Sequence, residues 1–177
     1  MSIPGIKRVD HIGFTVPDIH EAVSFFRDHF GFVIAYEFGP FASKDDWMAV
    51  HLNVAADAVI DTIVMMTGGH TQLEIFGYAP TDTQKRLPPR NSDIGGHHLA
   101  FYVEDIDAAV AYLHRIGLTV LGEPVVMTEG PTAGETWVYF LSPWGMQLEL
   151  VSYPNGKAYQ LATGRPERVL APSLELG

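Results

Sequence analysis

Two segments of this 177-residue chain each place a histidine at the start of an alternating apolar pattern. One reads Val-Asp-His-Ile-Gly-Phe-Thr-Val-Pro-Asp-Ile around His11, and the other reads Gly-His-His-Leu-Ala-Phe-Tyr-Val-Glu-Asp-Ile around His98. Two further segments each place a glutamate within an apolar run, Gln-Leu-Glu-Ile-Phe-Gly-Tyr at Glu74 and Gln-Leu-Glu-Leu-Val-Ser-Tyr at Glu149. A repeat with one histidine and one carboxylate per copy offers two of each in total, which is the composition of a divalent metal site.

Burial cost favours a ligand role for these four residues. A lone glutamate in a strand is more often a salt-bridge partner or reaches solvent, and a lone histidine is more often a hydrogen-bonded structural residue. Four such residues at equivalent positions of two copies are harder to explain in this way, because a buried carboxylate needs a partner charge or a cation. The chain has no cysteine. Imidazole and carboxylate ligands without sulfur predict one ion of Zn²⁺, Ni²⁺, Co²⁺, Fe²⁺ or Mn²⁺.

Strand parity distinguishes the two adjacent histidines of the second copy. Side chains alternate between the faces of a strand, so His98 shares a face with Ala100, just as His11 shares one with Gly13. His97 has the opposite parity and is expected at a strand start or behind a ligand. The small residues beside His11 and His98 leave space for an ion or a substrate.

Each copy is predicted to fold as β-α-β-β-β. The helices begin at the N-cap residues Asp18 and Asp105 and end at Gly31 and Gly117. The strands that follow them are predicted at Phe32–Phe38, Thr62–Thr67 and Gln72–Tyr78 in copy one, and at Leu118–Met127, Trp137–Ser142 and Gln147–Tyr153 in copy two.

The copies divide the chain into a first module at residues 7–78, a linker at 79–94 and a second module at 95–153. The tail at 154–177 is expected to pack loosely or to cover an edge. The last two strands of the copies align without gaps, Thr62–Tyr78 on Trp137–Tyr153. Copy one carries an insertion near 40–61, which contains His51 and is expected to form a lid or part of a pocket wall.

The bulk composition limits the possible partners. A net charge of −10 argues against nucleic acid, which requires clustered Lys and Arg. The longest apolar runs fall far short of the roughly 20 residues of a membrane span, and the first ten residues lack an apolar signal region. A cytoplasmic protein with no nucleic-acid or membrane partner is therefore expected.

Residues 7–153 resemble the vicinal oxygen chelate superfamily, which includes glyoxalase I, extradiol dioxygenases and bleomycin-resistance proteins. The resemblance implies an α+β fold in which two paired βαβββ modules form a cup-shaped, mostly antiparallel sheet around a metal site. It also implies that His11, Glu74, His98 and Glu149 are the metal ligands, and that a homodimer is common. The stretches at 95–103, 137–140 and 142–159 are similar to cyclitol epimerases of the valiolone type.

The reaction implied by the resemblance is proton transfer. The expected activity is that of a metal-dependent isomerase, epimerase or glyoxalase-like lyase that stabilises an enediolate of a small hydroxy-carbonyl substrate, which could be derived from a sugar or cyclitol. An Fe²⁺ extradiol dioxygenase is an alternative that the fourth ligand disfavours. A non-catalytic binding protein that confers drug resistance is another, against which the retained ligands count. Glyoxalase I remains open, although cationic anchors for glutathione are limited to Lys7, Arg8, Arg86 and Arg90.

The candidate catalytic residues follow from the reaction. A carboxylate ligand that can leave the metal, Glu74 or Glu149, is the expected general base. Epimerisation by two bases needs a second group on the opposite face of the substrate, for which His51 or Glu37 is suggested.

Overall fold

The computed structural model describes residues 3–162, which form an α+β fold. The chain divides into two compact units between Gln84 and Lys85, within the segment predicted as a linker. Each unit contains one four-stranded sheet of mixed strand direction, and the sheets are not closed. The predicted α+β class with two β-α-β-β-β copies is therefore confirmed.

The first unit contains β1 (Ile12–Val16), α1 (Ile19–Phe30), β2 (Val33–Phe38), α2 (Trp47–Leu52), β3 (Ile60–Gly68) and β4 (Thr71–Tyr78). Its strand order is β1-β4-β3-β2. The first strand pairs parallel with the last, and the other two pairings are antiparallel.

The second unit repeats this topology with β5 (Leu99–Tyr102), α3 (Ile106–Arg115), β6 (Thr119–Val126), β7 (Thr136–Leu141) and β8 (Gln147–Ser152), followed by a short helix α4 (Ala158–Ala162). Its strand order is β5-β8-β7-β6, and β5 again pairs parallel with the last strand. The strands lie within one or two residues of the predicted positions.

The helix boundaries have local causes in the sequence. The Asp18 carboxylate accepts hydrogen bonds from the backbone N–H groups of His20 and Glu21 at 2.9 and 3.0 Å, so it satisfies donors that the first turn of α1 leaves free. Asp105 accepts one such bond at the start of α3, from the Ala108 N–H at 2.9 Å. Gly31 ends α1 in the left-handed conformation, at a φ of 71°.

Alternation in the strands separates a core face from an open face. Phe14 and Val16 of β1 are buried, whereas Gly13 and Thr15, which alternate with them, are exposed, as the predicted parity requires. The core of the first unit lies where α1 packs on β3 and β4, and Phe26 at its centre contacts the edge of Phe14. Val138, Phe140 and Leu148 form the equivalent buried set in the second unit.

The insertion of copy one folds onto the open face of the first sheet. Met48 of α2 is fully buried and packs with Ala58, Ile60 and Ile63. Phe41 forms a backbone bridge to Ile60, with hydrogen bonds of 2.8 and 2.9 Å. Because the partly buried rings of Phe76 and Tyr78 pack against the same cluster, the insertion covers the face that also carries Glu74.

The gap-free alignment of the last two strands is wrong by one residue. Met65 lies opposite Glu74 in the first unit, but Tyr139, rather than Phe140, lies opposite Glu149 in the second. The physical reason is the turn that joins the two strands: between the equivalent pairs Thr67–Gln72 and Leu141–Gln147, the second turn contains one more residue.

The tail is described only in part. The N–H of Ala158 donates to the Ala133 carbonyl and that of Tyr159 donates to the Pro131 carbonyl, both at 2.9 Å. These bonds attach α4 to the loop before β7. The remainder, residues 163–177, lies outside the described residues. Within residues 3–162, no helix combines the length and the hydropathy of a membrane span.

Candidate metal and proton-transfer site

The first unit brings His11 and Glu74 together. Gly13 of β1 lies beside Glu74 of β4 in the parallel ladder. His11 is two residues before Gly13, so its side chain lies on the same face of the sheet as Glu74. His11 Nε2 is 3.1 Å from Glu74 Oε2. Both side chains are partly exposed, at 38% and 19%, so the pair is accessible from solvent. This parallel pairing is what joins two residues that are distant in sequence.

The second unit reproduces this arrangement with His98 and Glu149. Ala100 lies beside Glu149 in the β5–β8 ladder, and His98 Nε2 is 3.0 Å from Glu149 Oε2. His97 instead points its Nδ1 at the carbonyl oxygen of Gly95, at 3.0 Å. The structure therefore pairs Glu149 with the histidine that strand parity favoured, although the metal role of these residues stays a prediction.

The other ring nitrogen of each histidine has a different partner. His11 Nδ1 is 3.1 Å from Asp10 Oδ2, and His98 Nδ1 is 3.2 Å from Asn91 Nδ2. Metal-bound histidines commonly hold their second ring nitrogen in this way, which fixes the tautomer and the ring orientation. The Asp10 carboxylate can accept a hydrogen bond from Nδ1–H, which leaves Nε2 without a proton and able to bind a metal. Asn91 can do this only through its amide oxygen, which requires the amide to turn over.

The donor atoms fit a divalent metal ion. Two ligand atoms bound at right angles, each about 2.1 Å from a metal, lie about 3.0 Å apart. The Nε2–Oε2 separations of 3.1 and 3.0 Å agree with this spacing. Within residues 3–162, however, no group of three or more His, Asp or Glu side chains forms a complete metal site. What the structure provides is one His–Glu pair in each unit.

Space remains beside the first pair. A methyl group built on Gly13 would come within 3.5 Å of the Phe76 ring and 3.6 Å of Glu74 Oε2, which are ordinary contact distances. A larger side chain would extend over the carboxylate. The glycine therefore keeps the approach to Glu74 open, and Ala100 takes the equivalent position in the second unit.

The carboxyl of Glu149 is electrostatically unusual. Burial raises its pKa above the ordinary value, and the neighbouring Glu135 charge adds to that rise, whereas His98 and Lys157 oppose it. Burial also raises the pKa of the Tyr139 phenol, with a contribution from the Glu149 charge. In the first unit, burial raises the pKa of Tyr78, with a contribution from Glu74. In each unit the glutamate charge thus contributes to the raised pKa of a tyrosine phenol.

The proposed second bases lie apart from the first pair. His51 is exposed on α2 and packs edge-on against Trp47, with ring centroids 4.7 Å apart. None of its contacts among the described residues involves His11 or Glu74. Glu37 lies on β2, all of whose residues are exposed.

Sequence reasoning missed five residues around the pairs. Asp10 could have been found because it directly precedes His11, but Asn91 lies in a loop with no periodic signal. Tyr139 was obscured by the one-residue difference in register. Lys157 and Glu135 form an ion pair that joins the segment after β8 to the start of β7, and no spacing in the sequence indicates it.

Comparison with known proteins identifies the family. Residues 10–140 match the model of the glyoxalase, bleomycin resistance protein and dioxygenase superfamily. The chain belongs to this superfamily. The matched residues include His11, Glu74 and His98, and Glu149 lies nine residues beyond the end of the match.

Individual relatives place the chain more closely within the superfamily. It is 47% identical over 162 residues to a 2-epi-5-epi-valiolone epimerase from an Actinomyces species, covering 91% of this chain and 87% of the relative. The structure superposes on a glyoxalase family protein from Bacillus cereus with a TM-score of 0.63 at 22% identity, covering 85% and 98% of the two chains. It also superposes on the fosfomycin resistance protein FosX from Listeria monocytogenes, solved with Mn(II) and sulfate, with a TM-score of 0.53 at 15% identity, covering 83% and 93%. These two structures support the fold alone.

Proposed function

We propose that this protein is an epimerase that acts on a small cyclic hydroxy-ketone of the cyclitol type. The observation that carries the proposal is the 47% identity, over 91% of the chain, to a relative named as 2-epi-5-epi-valiolone epimerase. The two His–Glu pairs support it, because they supply a carboxylate base and ligands for a cation.

We further propose that His11, Glu74, His98 and Glu149 together bind one divalent ion, of Zn, Ni, Co, Fe or Mn. The spacing of the donor atoms in each pair and the absence of sulfur ligands support this set. The chemistry that such an ion supplies is polarisation of the substrate carbonyl, which lowers the energy of the enediolate.

The protein's own side chains would perform the proton transfer. Glu149 is the favoured base, because burial raises its pKa toward the range in which one carboxyl both accepts and returns a proton. Glu74 is its counterpart in the first unit. Asp10 and Asn91 would hold the two histidine rings in orientation, and Tyr139 would exclude water from Glu149.

A proton donor on the opposite face of the substrate is still required for inversion through two bases. His51 and Glu37 are proposed for this role. Support for His51 is its position on the insertion, whose cluster packs against the open face of the first sheet. Replacement of the second base by Gln, as His51→Gln or Glu37→Gln, should abolish inversion but leave hydrogen exchange at the substrate carbon. This result would distinguish the second base from the first, whose loss stops the exchange itself.

The test uses 2-epi-5-epi-valiolone in deuterated water with protein of known metal content. Incorporation of deuterium at the carbon next to the carbonyl, and its loss in Glu149→Gln, is the expected result. Oxygen consumption with a ring-cleaved product would instead indicate the dioxygenase. Tight binding without exchange would indicate the non-catalytic binding protein. Either of these outcomes overturns the proposal.

The oligomeric state and the cellular location are two further expectations that accompany this proposal. A homodimer is proposed, and light scattering coupled to gel filtration measures it directly. The cytoplasmic location stays a prediction, to be checked by fractionation of the host cell.

A further inference from the structure

Lys157 and Glu135 form a largely buried ion pair in the second unit. The ammonium nitrogen contacts Glu135 Oε1, and the side chains are only 16% and 9% exposed. The Lys157 nitrogen also lies over the ring of Tyr153, 4.5 Å from its centroid. Every contact of this ammonium among the described residues is thus with an anion or with an aromatic face.

The pair lies on the same face of the sheet as the His98–Glu149 pair. Tyr139 is opposite Glu149 in the β7–β8 ladder, so every second residue along β7, counted from Tyr139, lies on the same face as Glu149. Glu135 is four residues before Tyr139 and continues the strand, since its carbonyl accepts a hydrogen bond of 2.8 Å from the Met127 N–H. Tyr153 has the same relation to Glu149 along the next strand.

Aromatic side chains connect the two charged pairs along this face. Tyr153 packs edge-on against Tyr102, with centroids 4.8 Å apart, and Trp137 packs against Tyr139 at 5.1 Å. Tyr139 in turn contacts the His98 ring at 5.1 Å. A face lined by rings, with few polar groups at defined places, is typical of a small-molecule site.

Stability alone is a poor explanation for the buried pair. Removing two charges from water costs more than their attraction returns in many proteins, and apolar replacements are often neutral or stabilising. The ammonium group has three N–H donors, of which Glu135 takes one and the Tyr153 ring faces another. Among residues 3–162 no partner is present for the third donor, so it is available to a ligand.

We propose that Lys157 is a substrate-anchoring residue, held in place by Glu135 and Tyr153, which donates a hydrogen bond to an oxygen at the end of a polyhydroxylated ring substrate remote from Glu149. The inference rests on the proposed epimerase function. The apolar faces of such a ring would pack on the aromatic side chains, while the ammonium binds a hydroxyl oxygen.

The competing explanation is that the pair only attaches the segment around α4 to the loop before β7. That segment is also held by the backbone hydrogen bonds of Ala158 and Tyr159. In addition, the Gln160 side-chain oxygen accepts a hydrogen bond of 2.8 Å from the backbone N–H of Lys157. A purely structural pair would affect the melting temperature and leave the KM unchanged, whereas an anchor would affect the KM.

The test measures deuterium exchange into 2-epi-5-epi-valiolone for Lys157→Met, for Lys157→Arg and for the exposed control Lys85→Met. Loss of a hydrogen bond from a charged donor should raise the KM of Lys157→Met about tenfold or more, with kcat changed by less than about threefold. Lys157→Arg keeps the charge in a longer, planar group, so an intermediate KM is expected. Lys85→Met should behave as the wild type.

The outcomes separate the two proposals. A wild type that exchanges no deuterium overturns the epimerase function and this inference with it. An active wild type, together with wild-type KM values for folded Lys157→Met and Lys157→Arg, overturns the inference alone. If Lys157→Met does not fold, Lys157→Arg decides, because its wild-type KM would contradict an anchoring role.

Discussion

Tyr139 lies directly opposite Glu149 in the β7–β8 ladder, and the edge of its ring contacts His98 at 5.1 Å. The equivalent position in the first unit is Met65, opposite Glu74, with 4% of its surface exposed. The two His–Glu pairs therefore share their ligand geometry and differ in what lies beside the carboxylate. A phenol next to a buried carboxyl suits proton transfer better than a thioether does, which favours Glu149 over Glu74 as the base.

Replacement of Glu149 by Gln should stabilise the metal-free protein at neutral pH. Because burial raises the pKa of Glu149 above its unfolded value, the folded state binds the proton more tightly. The resulting stability is present below about pH 4.3 and is lost as the pH rises through the folded pKa. Denaturant unfolding at pH 7 should therefore give Glu149→Gln a larger free energy of unfolding than the wild type, with no such advantage at pH 4. A less stable variant at pH 7 would contradict this, and Glu123→Gln controls for removal of an exposed charge.

His98→Ala should remove the metal ion, whereas His97→Ala should retain it. The two residues are adjacent, but only His98 faces Glu149, and His97 contacts the Gly95 carbonyl. Elemental analysis after dialysis is expected to give one ion per chain for the wild type and for His97→Ala. His98→Ala should lose at least about tenfold in metal affinity, so its metal content after dialysis should be lower. Equal metal content in the two variants would refute the ligand assignment.

The partners of the histidine Nδ1 atoms should tune metal affinity in opposite directions. Asp10→Asn removes the carboxylate that orients the His11 ring, so metal affinity should fall by about 10- to 100-fold. Asn91→Asp introduces the same carboxylate beside His98, and affinity should rise. Competition titration against a chromogenic chelator measures both. Asp82→Asn, in an exposed loop, is the matched control, and a response equal to that of Asp10→Asn would indicate a general charge effect.

Met48→Ala should destabilise the first unit, by about 2–5 kcal/mol if the cavity does not collapse. Met48 is fully buried and connects α2 to Ile60 and Ile63 of β3. Val50→Ala on the same helix is the control, because Val50 is 66% exposed. Thermal unfolding of both variants tests whether the insertion is an integral part of the fold. Equal melting temperatures would show that α2 contributes little to it.

The sequence predicted what repeats and missed what differs between the copies. The alternation around Phe14 and the caps at Asp18 and Asp105 are local patterns, and strands, helices and the orientation of His98 followed from them. The register of β7 depends on the length of one turn, which no apolar pattern records. Asn91 and Lys157 come from segments without periodicity, so only the folded chain shows that they contact His98 and Glu135.

The parallel pairing of first and last strands has a consequence for how the site arises during synthesis. His11 meets Glu74 only when β4 joins β1, and β4 ends at Tyr78, before the second unit begins at Lys85. The residues of one complete His–Glu pair are therefore synthesised before His98 is added to the chain. Because such a non-local contact forms late in the folding of its own sheet, a metal ion captured by the first pair would report that the leading half of the nascent chain is finished.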